Sequence, residues 1–132
     1  MKIIDLSLPL YDGMPVYPGD PEVEIKQVHI LVKQGWNLRT LFLNTHLGTY
    51  VNVPSHMVEN GGNLDDSSLD NFCGPAIVYG GPNLVKSGPG IISYENLVNT
   101  EKLPGDKQFM FYGYPLKIKD GDGSPVRAVA VI

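Results

Sequence analysis

Residues 45–57 of the chain, THLGTYVNVPSHM, alternate polar and apolar side chains around two histidines. Successive side chains of a strand point to opposite faces, so residues of one parity share a face. Proline cannot continue a regular strand ladder, and a bend at Pro54 would aim the last histidine differently. The stretch therefore predicts a strand whose polar face either lines a pocket or meets solvent. The polar residues of that parity are His46, Tyr50, Asn52 and His56.

Length and composition predict one compact globular domain over residues 1–132. A chain of 132 residues can build one core but not two ordinary ones. Hydrophobic residues make up 42% and charged residues 18%, which is typical of a folded protein. The formal net charge is −4, and no basic cluster is present, so we expect no nucleic-acid partner.

The compartment can also be predicted. The single cysteine, Cys73, excludes an internal disulfide and fits a reducing environment. The first residues carry one lysine and no long apolar run, so they do not resemble a signal peptide. No apolar stretch is long enough to cross a membrane. We therefore expect a cytoplasmic protein with no membrane partner.

Alternating apolar residues predict that strands dominate the fold and that helix is scarce. Two long antiparallel strands are expected at 23–32 and 37–53, with a turn at 33–37 between them. Further strands are predicted within 2–10, 74–81, 107–118 and 125–132. Short helical turns are expected in two places, one capped by Asp66 or Ser67 and running to Asn71, the other over 93–100 with Ser93 as its cap.

The segment HLGTYVNVPSH, at 46–56, resembles a motif of the cyclase family, which contains bacterial kynurenine formamidases and isatin hydrolases. The family motif is His-x-Gly-Thr-His-x-Asp-x-Pro-x-His. The N-terminal IDLSLPLYDGMPVYPGDP and the C-terminal GDGSPVRAVAVI are also similar to family segments. The resemblance implies a strand-dominated mixed α/β fold, the swivelling β/β/α domain. A middle segment of that fold is missing here, and the gap would close near residues 80–90.

The resemblance also implies a site. In the family, the first two histidines and the aspartate of the motif bind a divalent metal, zinc or manganese, together with a later histidine and a glutamate. By this resemblance His46 is a metal ligand and His56 is the proton carrier. Glu95 matches the glutamate, as a ligand and catalytic residue, and Asn83 lies nearest the later histidine.

Two ligand positions are substituted, since Tyr50 replaces the second histidine and Asn52 replaces the aspartate. Asparagine lacks the charge that offsets a dication, and a phenol with a pKa near 10 is a poor ligand. We therefore expect weak or absent metal binding in a pocket that persists. Tyr50 and Asn52 would then bind substrate, with Tyr17 from a loop that resembles the family's pocket loop. Glu95 is expected to pair with His46 or His56.

Three functions remain open. The first is a metal-free homologue that binds a small molecule or is only weakly active, and the substituted ligands favour it. The second is a metal-dependent hydrolase of an aryl formamide or a cyclic amide. The third is a non-catalytic subunit. Strand edges left by the missing segment favour a homo-oligomer in each case. Arg127, in an apolar segment, needs a partner if it is buried, and Asp5 is a candidate.

Overall fold

A computed structural model of the chain describes residues 1–78, 84–86, 92–105 and 107–132. The predicted closure near 80–90 lies outside the described residues except for 84–86, and so does Asn83. The strands are β1 (Ile3–Asp5), β2 (Glu24–His29), β3 (Leu38–Phe42), β4 (Tyr50–Asn52), β5 (Cys73–Ala76), β6 (Leu84–Lys86), β7 (Ile92–Glu95), β8 (Phe109–Tyr112), β9 (Gly123–Pro125) and β10 (Val129–Val131). Among the described residues, helix is confined to α1 (Leu31–Gln34) and to 3-10 turns at Pro54–His56, Leu69–Phe72 and Thr100–Lys102.

Two antiparallel four-stranded sheets form the body of the fold. One has the strand order β1-β10-β8-β5, and the other has the order β6-β7-β4-β9. The main core draws apolar side chains from both sheets, so the two sheets enclose it. Its largest fully buried members are Tyr94, Phe72, Phe111, Leu6 and Val51. The prediction of a strand-dominated mixed α/β fold is confirmed.

The register between β4 and β7 explains why polar groups collect on one face. Val51 lies opposite Tyr94, and both are fully buried in the core. The alternate residues point the other way, so Tyr50 lies opposite Glu95 and Asn52 lies opposite Ser93. Side chains alternate between the two faces of β4 and β7. One face therefore buries the apolar residues in the core, and the other brings four polar side chains together.

Strands β2 and β3 form a separate two-stranded antiparallel ribbon. Antiparallel pairing of these segments confirms the prediction, but the connection is α1 and not a tight turn. Gly35 ends α1 with a left-handed φ of +83°, which returns the chain toward β3. Every residue of β3 is exposed.

The prediction of one strand over 37–53 is wrong, because β3 and β4 belong to different sheets. The chain breaks at Asn44, whose side-chain oxygen accepts a hydrogen bond from the backbone N–H of His46 at 3.0 Å. Such a bond forms a local turn that competes with a strand ladder. Gly48 then adopts a left-handed φ of +61°. His46 consequently projects from a turn, while Tyr50 and Asn52 project from β4.

Both predicted helical turns need correction. Residues 92–95 form β7, since the alternation that buries Ile92 and Tyr94 has a period of two. The other turn begins at Leu69, after Ser68, whose side chain makes no capping hydrogen bond. Ser67 instead donates to the carbonyl of Asn63 at 2.9 Å.

One predicted pairing is confirmed. The guanidinium of Arg127 donates two hydrogen bonds to the carboxylate of Asp5, at 2.8 and 2.7 Å. This fork joins β1 to the segment between β9 and β10. No described helix has the length or the apolar character needed to span a bilayer.

Candidate functional site

The first polar cluster centres on Glu95. Its Oε2 accepts a hydrogen bond from the Tyr50 hydroxyl at 2.7 Å, and its Oε1 accepts one from Asn52 Nδ2 at 2.6 Å. Asn52 Nδ2 also lies 3.3 Å from the hydroxyl oxygen of Ser93. Both carboxylate oxygens are therefore held by neutral donors on the neighbouring strand.

Tyr50 is a neutral donor in this cluster. Partial burial, the hydrogen bond to Glu95 and the charge of that carboxylate together raise the pKa of Tyr50 well above its ordinary value of 10. The nearby carboxylate of Asp20 acts in the same direction. A phenol with so high a pKa stays protonated at neutral pH, and it donates a hydrogen bond to Glu95 instead of offering an anionic oxygen.

The second cluster joins two histidines to Asp122. Nε2 of His46 lies 2.7 Å from Oδ2 of Asp122, and Nδ1 of His56 lies 3.4 Å from the same oxygen. Thr45 donates a hydrogen bond to the other carboxylate oxygen at 3.0 Å. The two imidazole rings are 4.0 Å apart between centroids. Ligand atoms of His46, His56 and Asp122 all lie within 4.8 Å of one another.

Local structure explains how these residues meet. Asp122 directly precedes β9, which pairs with β4 and so brings the carboxylate beside the motif. Gly123 leaves room for the His46 ring, since a Cβ atom there would lie 2.8 Å from Cε1 of that ring. Pro54 begins the 3-10 turn that ends at His56, and this turn is the bend that the sequence predicts.

Asp122 is an anion over the whole physiological pH range. Burial by itself would raise the pKa of this carboxyl, but hydrogen bonds from His46 and Thr45 outweigh burial and lower it to about 2. A carboxylate that stays ionised beside two imidazoles is a suitable donor set for a divalent transition metal.

A cavity of about 540 Å³ opens beside both clusters. Its volume is in the range of pockets that bind small organic ligands. The two clusters also touch, because the rings of His46 and Tyr50 meet edge to face with centroids 5.2 Å apart. The cavity is lined by polar Asn52, His56, Ser93 and Glu95 and by apolar Val53, Pro54, Met57 and Val58.

Two buried polar atoms at the site lack a partner among the described residues. They are Nδ1 of His46 and Oδ1 of Asn52. Buried polar atoms normally have a hydrogen-bond partner, and exceptions concentrate at sites that hold water, an ion or a ligand. Both atoms belong to residues that the sequence singles out.

The structure brings together five of the six residues that were predicted as site residues, namely His46, Tyr50, Asn52, His56 and Glu95. The sixth, Tyr17, is 78% exposed and does not line the cavity, so its substrate-binding role stays a prediction. Glu95 was expected to pair with a histidine. That pairing is wrong, because Tyr50, directly opposite on β4, and Asn52, two residues further along β4, donate hydrogen bonds to both oxygens of Glu95.

The partner of the histidines is Asp122, which the sequence interpretation missed. The residue sits in GDGSPVRAVAVI, a segment recognised only as a C-terminal resemblance. The sequence feature that could have pointed to Asp122 as a site residue is an acidic side chain between two glycines, just before a strand. Only the pairing of β9 with β4 shows that this segment reaches the motif.

Known proteins resemble this chain in sequence and in fold. The cyclase family model, with the description "Putative cyclase", matches residues 4–108, which is most of the chain. The chain belongs to the cyclase family. A kynurenine formamidase of Salinibacter ruber is 39% identical over 80 residues, which cover 59% of this chain and 38% of that protein. One of Paracidovorax citrulli is 29% identical over 96 residues, covering 72% of this chain and 43% of that protein.

The match to these kynurenine formamidases spans only about two fifths of their length. The uncharacterized protein MJ0783 of Methanocaldococcus jannaschii is 27% identical over 191 aligned positions that cover both chains completely. Because this chain has 132 residues, the alignment contains positions that it lacks. This chain is therefore a shortened member of the cyclase family.

Solved structures show the same fold. An isatin hydrolase bound to the product analogue thioisatinate superposes with a TM-score of 0.82 and 14% identity, over 99% of this chain and 92% of that one. Isatin hydrolase A from Ralstonia solanacearum gives a TM-score of 0.76 at 14% identity, over 98% of this chain and 91% of that one. At this identity the likeness shows the fold alone.

The donor set decides where a metal fits. At the two substituted motif positions, Tyr50 is a neutral phenol and Asn52 is a neutral amide. Both donate hydrogen bonds to Glu95, so these two positions do not fit a dication. The set formed by His46, His56 and Asp122 does fit, because it offers two imidazoles and one ionised carboxylate at close range.

Proposed function

We propose that this cyclase-family chain hydrolyses a small amide, an aryl formamide or a cyclic amide, with the aid of a divalent metal. The family membership and the names of the relatives support the reaction class. The observation that carries the proposal is the cluster of ligand atoms of His46, His56 and Asp122, which lie within 4.8 Å of one another. When bound, a zinc or manganese ion would supply a water of lowered pKa and polarise the amide carbonyl.

In this proposal His46, His56 and Asp122 would hold the ion, while the other polar cluster binds substrate. Glu95 lines the cavity, and the donors from Tyr50 and Asn52 fix its position. A carboxylate held in this way would accept a hydrogen bond from the N–H of an amide substrate. The apolar wall formed by Val53, Met57 and Val58 would contact an aromatic ring and exclude water from it.

A hydrolysis assay tests this proposal. The purified chain would be assayed against formanilide and isatin, with added zinc or manganese and after removal of metal by a chelator. We expect turnover that the chelator abolishes and that returned metal restores. Asp122→Asn should lose roughly 10-fold or more in turnover, whereas Glu101→Gln, an exposed carboxylate elsewhere, should match the unaltered chain. Turnover that survives both the chelator and Asp122→Asn would contradict the proposal.

A second candidate, a metal-free homologue that binds a small molecule, is supported by the Glu95 cluster. Tyr50 and Asn52 satisfy this carboxylate without any ion. In that case isatin would raise the unfolding temperature of the metal-free chain, and added zinc would change neither this shift nor turnover. A small molecule is the proposed partner in both candidates. The cytoplasm is the proposed location, and the presence of a single cysteine, Cys73, supports it.

A further inference from the structure

Glu95 has no cationic partner among the residues that the structure describes. The ion pairs found there involve the carboxylates of Asp5, Glu24 and Asp122. His56 also lines the cavity beside Glu95, but its Nδ1 lies 3.4 Å from Asp122. A partly buried carboxylate without a cation is costly, because burial removes much of the water that would solvate its charge. The negative charge of Glu95 is therefore available to a ligand in the cavity.

The surroundings of this cavity do not offset that charge. The part of its wall that belongs to the described residues contains no lysine and no arginine. A second carboxylate, that of Asp20, lies near enough to Tyr50 to raise the pKa of the phenol. The whole chain has a net charge of −4. An acidic cavity in an acidic chain attracts cationic ligands and repels anionic ones.

The hydrogen-bonding capacity left in the Glu95 cluster is mainly that of acceptors. The carboxylate offers about four lone-pair sites, and Tyr50 and Asn52 fill one each. The amide nitrogen of Asn52 is already used by Glu95 and Ser93, whereas its Oδ1 is buried and has no partner among the described residues. A flipped amide would place two oxygens 2.6 Å apart, so the contact with Glu95 fixes this orientation. An ammonium group, with three donors and no acceptor, matches such a set.

We propose that the cavity selects aromatic ligands that carry an ammonium group, and that Glu95 recognises this group. For the substrate, the inference rests on the proposed function, because it assumes that the hydrolysed amide binds in this cavity. The amide N–H of that substrate would use one remaining acceptor position of Glu95, and the ammonium group would use the other. The apolar wall formed by Val53, Met57 and Val58 would contact the ring.

The binding of three small probes to the full chain tests this inference. Benzylamine, benzyl alcohol and benzoate share a benzene ring with one attached carbon, and at neutral pH they are cationic, neutral and anionic. The chain is kept free of metal, because a bound dication would itself attract benzoate. Titrations followed by the NMR shifts of backbone amides give each dissociation constant and locate the site. We expect benzylamine to bind roughly 10-fold or more tightly than benzyl alcohol, with shifts at Asn52, Ser93 and Glu95, and benzoate to bind most weakly.

A matched pair of variants assigns the preference to one carboxylate. Glu95→Gln keeps the size of the side chain and removes its charge, so benzylamine and benzyl alcohol should then bind about equally. Glu101→Gln removes an exposed carboxylate elsewhere and should keep the preference. Salt supplies a measurement on the unaltered chain, where a higher ionic strength should weaken the binding of benzylamine and leave that of benzyl alcohol unchanged.

Three results would overturn the inference. They are benzoate that binds as tightly as benzylamine, a preference for benzylamine that survives in Glu95→Gln, and benzylamine that shows no saturable binding at the cavity. None of the probes contains an amide, so the outcome is separate from that of the hydrolysis assay. A chain that selects benzylamine through Glu95 but hydrolyses no amide would uphold this ligand preference and contradict the proposed hydrolysis.

Discussion

At the scale of single residues, the site differs from the family motif through two substitutions that act together. Tyr50 and Asn52 both donate to Glu95, so each supports the other's role in holding the carboxylate. The sequence was enough to identify these two positions and to predict that they no longer suit a metal. It could not identify Asp122 as the partner of His46, because the contact spans 76 residues and depends on how β9 pairs with β4.

Restoring the family's aspartate should destabilise the metal-free chain. Asn52→Asp removes a donor that lies 2.6 Å from Glu95 and places a second carboxylate there, so we expect a loss of about 1–3 kcal/mol. Thermal unfolding without metal measures the loss. Asn60→Asp, at an exposed position, is the control and should change little.

The same experiment extends to a double variant. Tyr50→His combined with Asn52→Asp restores both motif ligands, so added zinc should raise its unfolding temperature more than that of the unaltered chain. An Asn52→Asp chain that is as stable as the unaltered one without metal would show that the Glu95 cluster is not a close hydrogen-bonded unit.

At the scale of elements, sequence periodicity predicted most strands but misplaced the breaks between them. Alternation over 37–53 continues through a segment where Asn44 and Gly48 redirect the backbone. The helical turn predicted from Ser93 as a cap conflicts with the alternation over 92–95, where burial follows a period of two. Local turn chemistry decided the first case, and tertiary burial decided the second.

Gly48 should not tolerate a side chain. Its φ of +61° is unfavourable for an L-residue, so we expect Gly48→Ala to cost about 1–2 kcal/mol. The new Cβ would also lie 2.7 Å from Leu10 Cδ2, although that flexible side chain can move. Urea unfolding measures the cost. Gly62→Ala, where a Cβ meets nothing within 4 Å, is the matched control, and equal losses in the two variants would contradict this interpretation.

The fork between Asp5 and Arg127 should make the attachment of β1 sensitive to pH. Hydrogen bonds from Arg127 hold the pKa of Asp5 below its ordinary value of 3.8. A lowered folded-state pKa means that the stabilisation is complete above the unfolded value and disappears as the pH falls through the folded one. The effect should be small, because both side chains are substantially exposed.

The midpoint of urea unfolding, measured at two pH values, tests whether this stabilisation decreases as the pH falls. Asp5→Asn should lower the midpoint at neutral pH, and its difference from the unaltered chain should shrink at a pH below 3.8, the ordinary pKa of the carboxyl, as it protonates. Lys26→Gln, which removes an exposed pair on the ribbon, should have a smaller effect at both pH values. A difference between Asp5→Asn and the unaltered chain that is constant with pH would contradict the assignment.

At the scale of the whole molecule, the family and the strand-dominated fold could be predicted because the motif and both terminal segments survive in the sequence. That residues 1–132 form one domain remains a prediction. The isolation of the β2–β3 ribbon could not be predicted, because the alternating pattern of 23–32 and 37–53 is typical of strands that join a larger sheet. Only the isolation of β2 and β3 from both sheets shows that their apolar residues, apart from the partly buried Ile25, are exposed.

The central proposal is that His46, His56 and Asp122 hold the metal, and that Tyr50, Asn52 and Glu95 do not. Anomalous X-ray diffraction from crystals soaked in zinc, recorded at the zinc absorption edge, tests it most directly. We predict one strong peak within coordination distance of the imidazole nitrogens and of the Asp122 carboxylate. A peak between Tyr50, Asn52 and Glu95, or no peak at either cluster at saturating zinc, would contradict the claim.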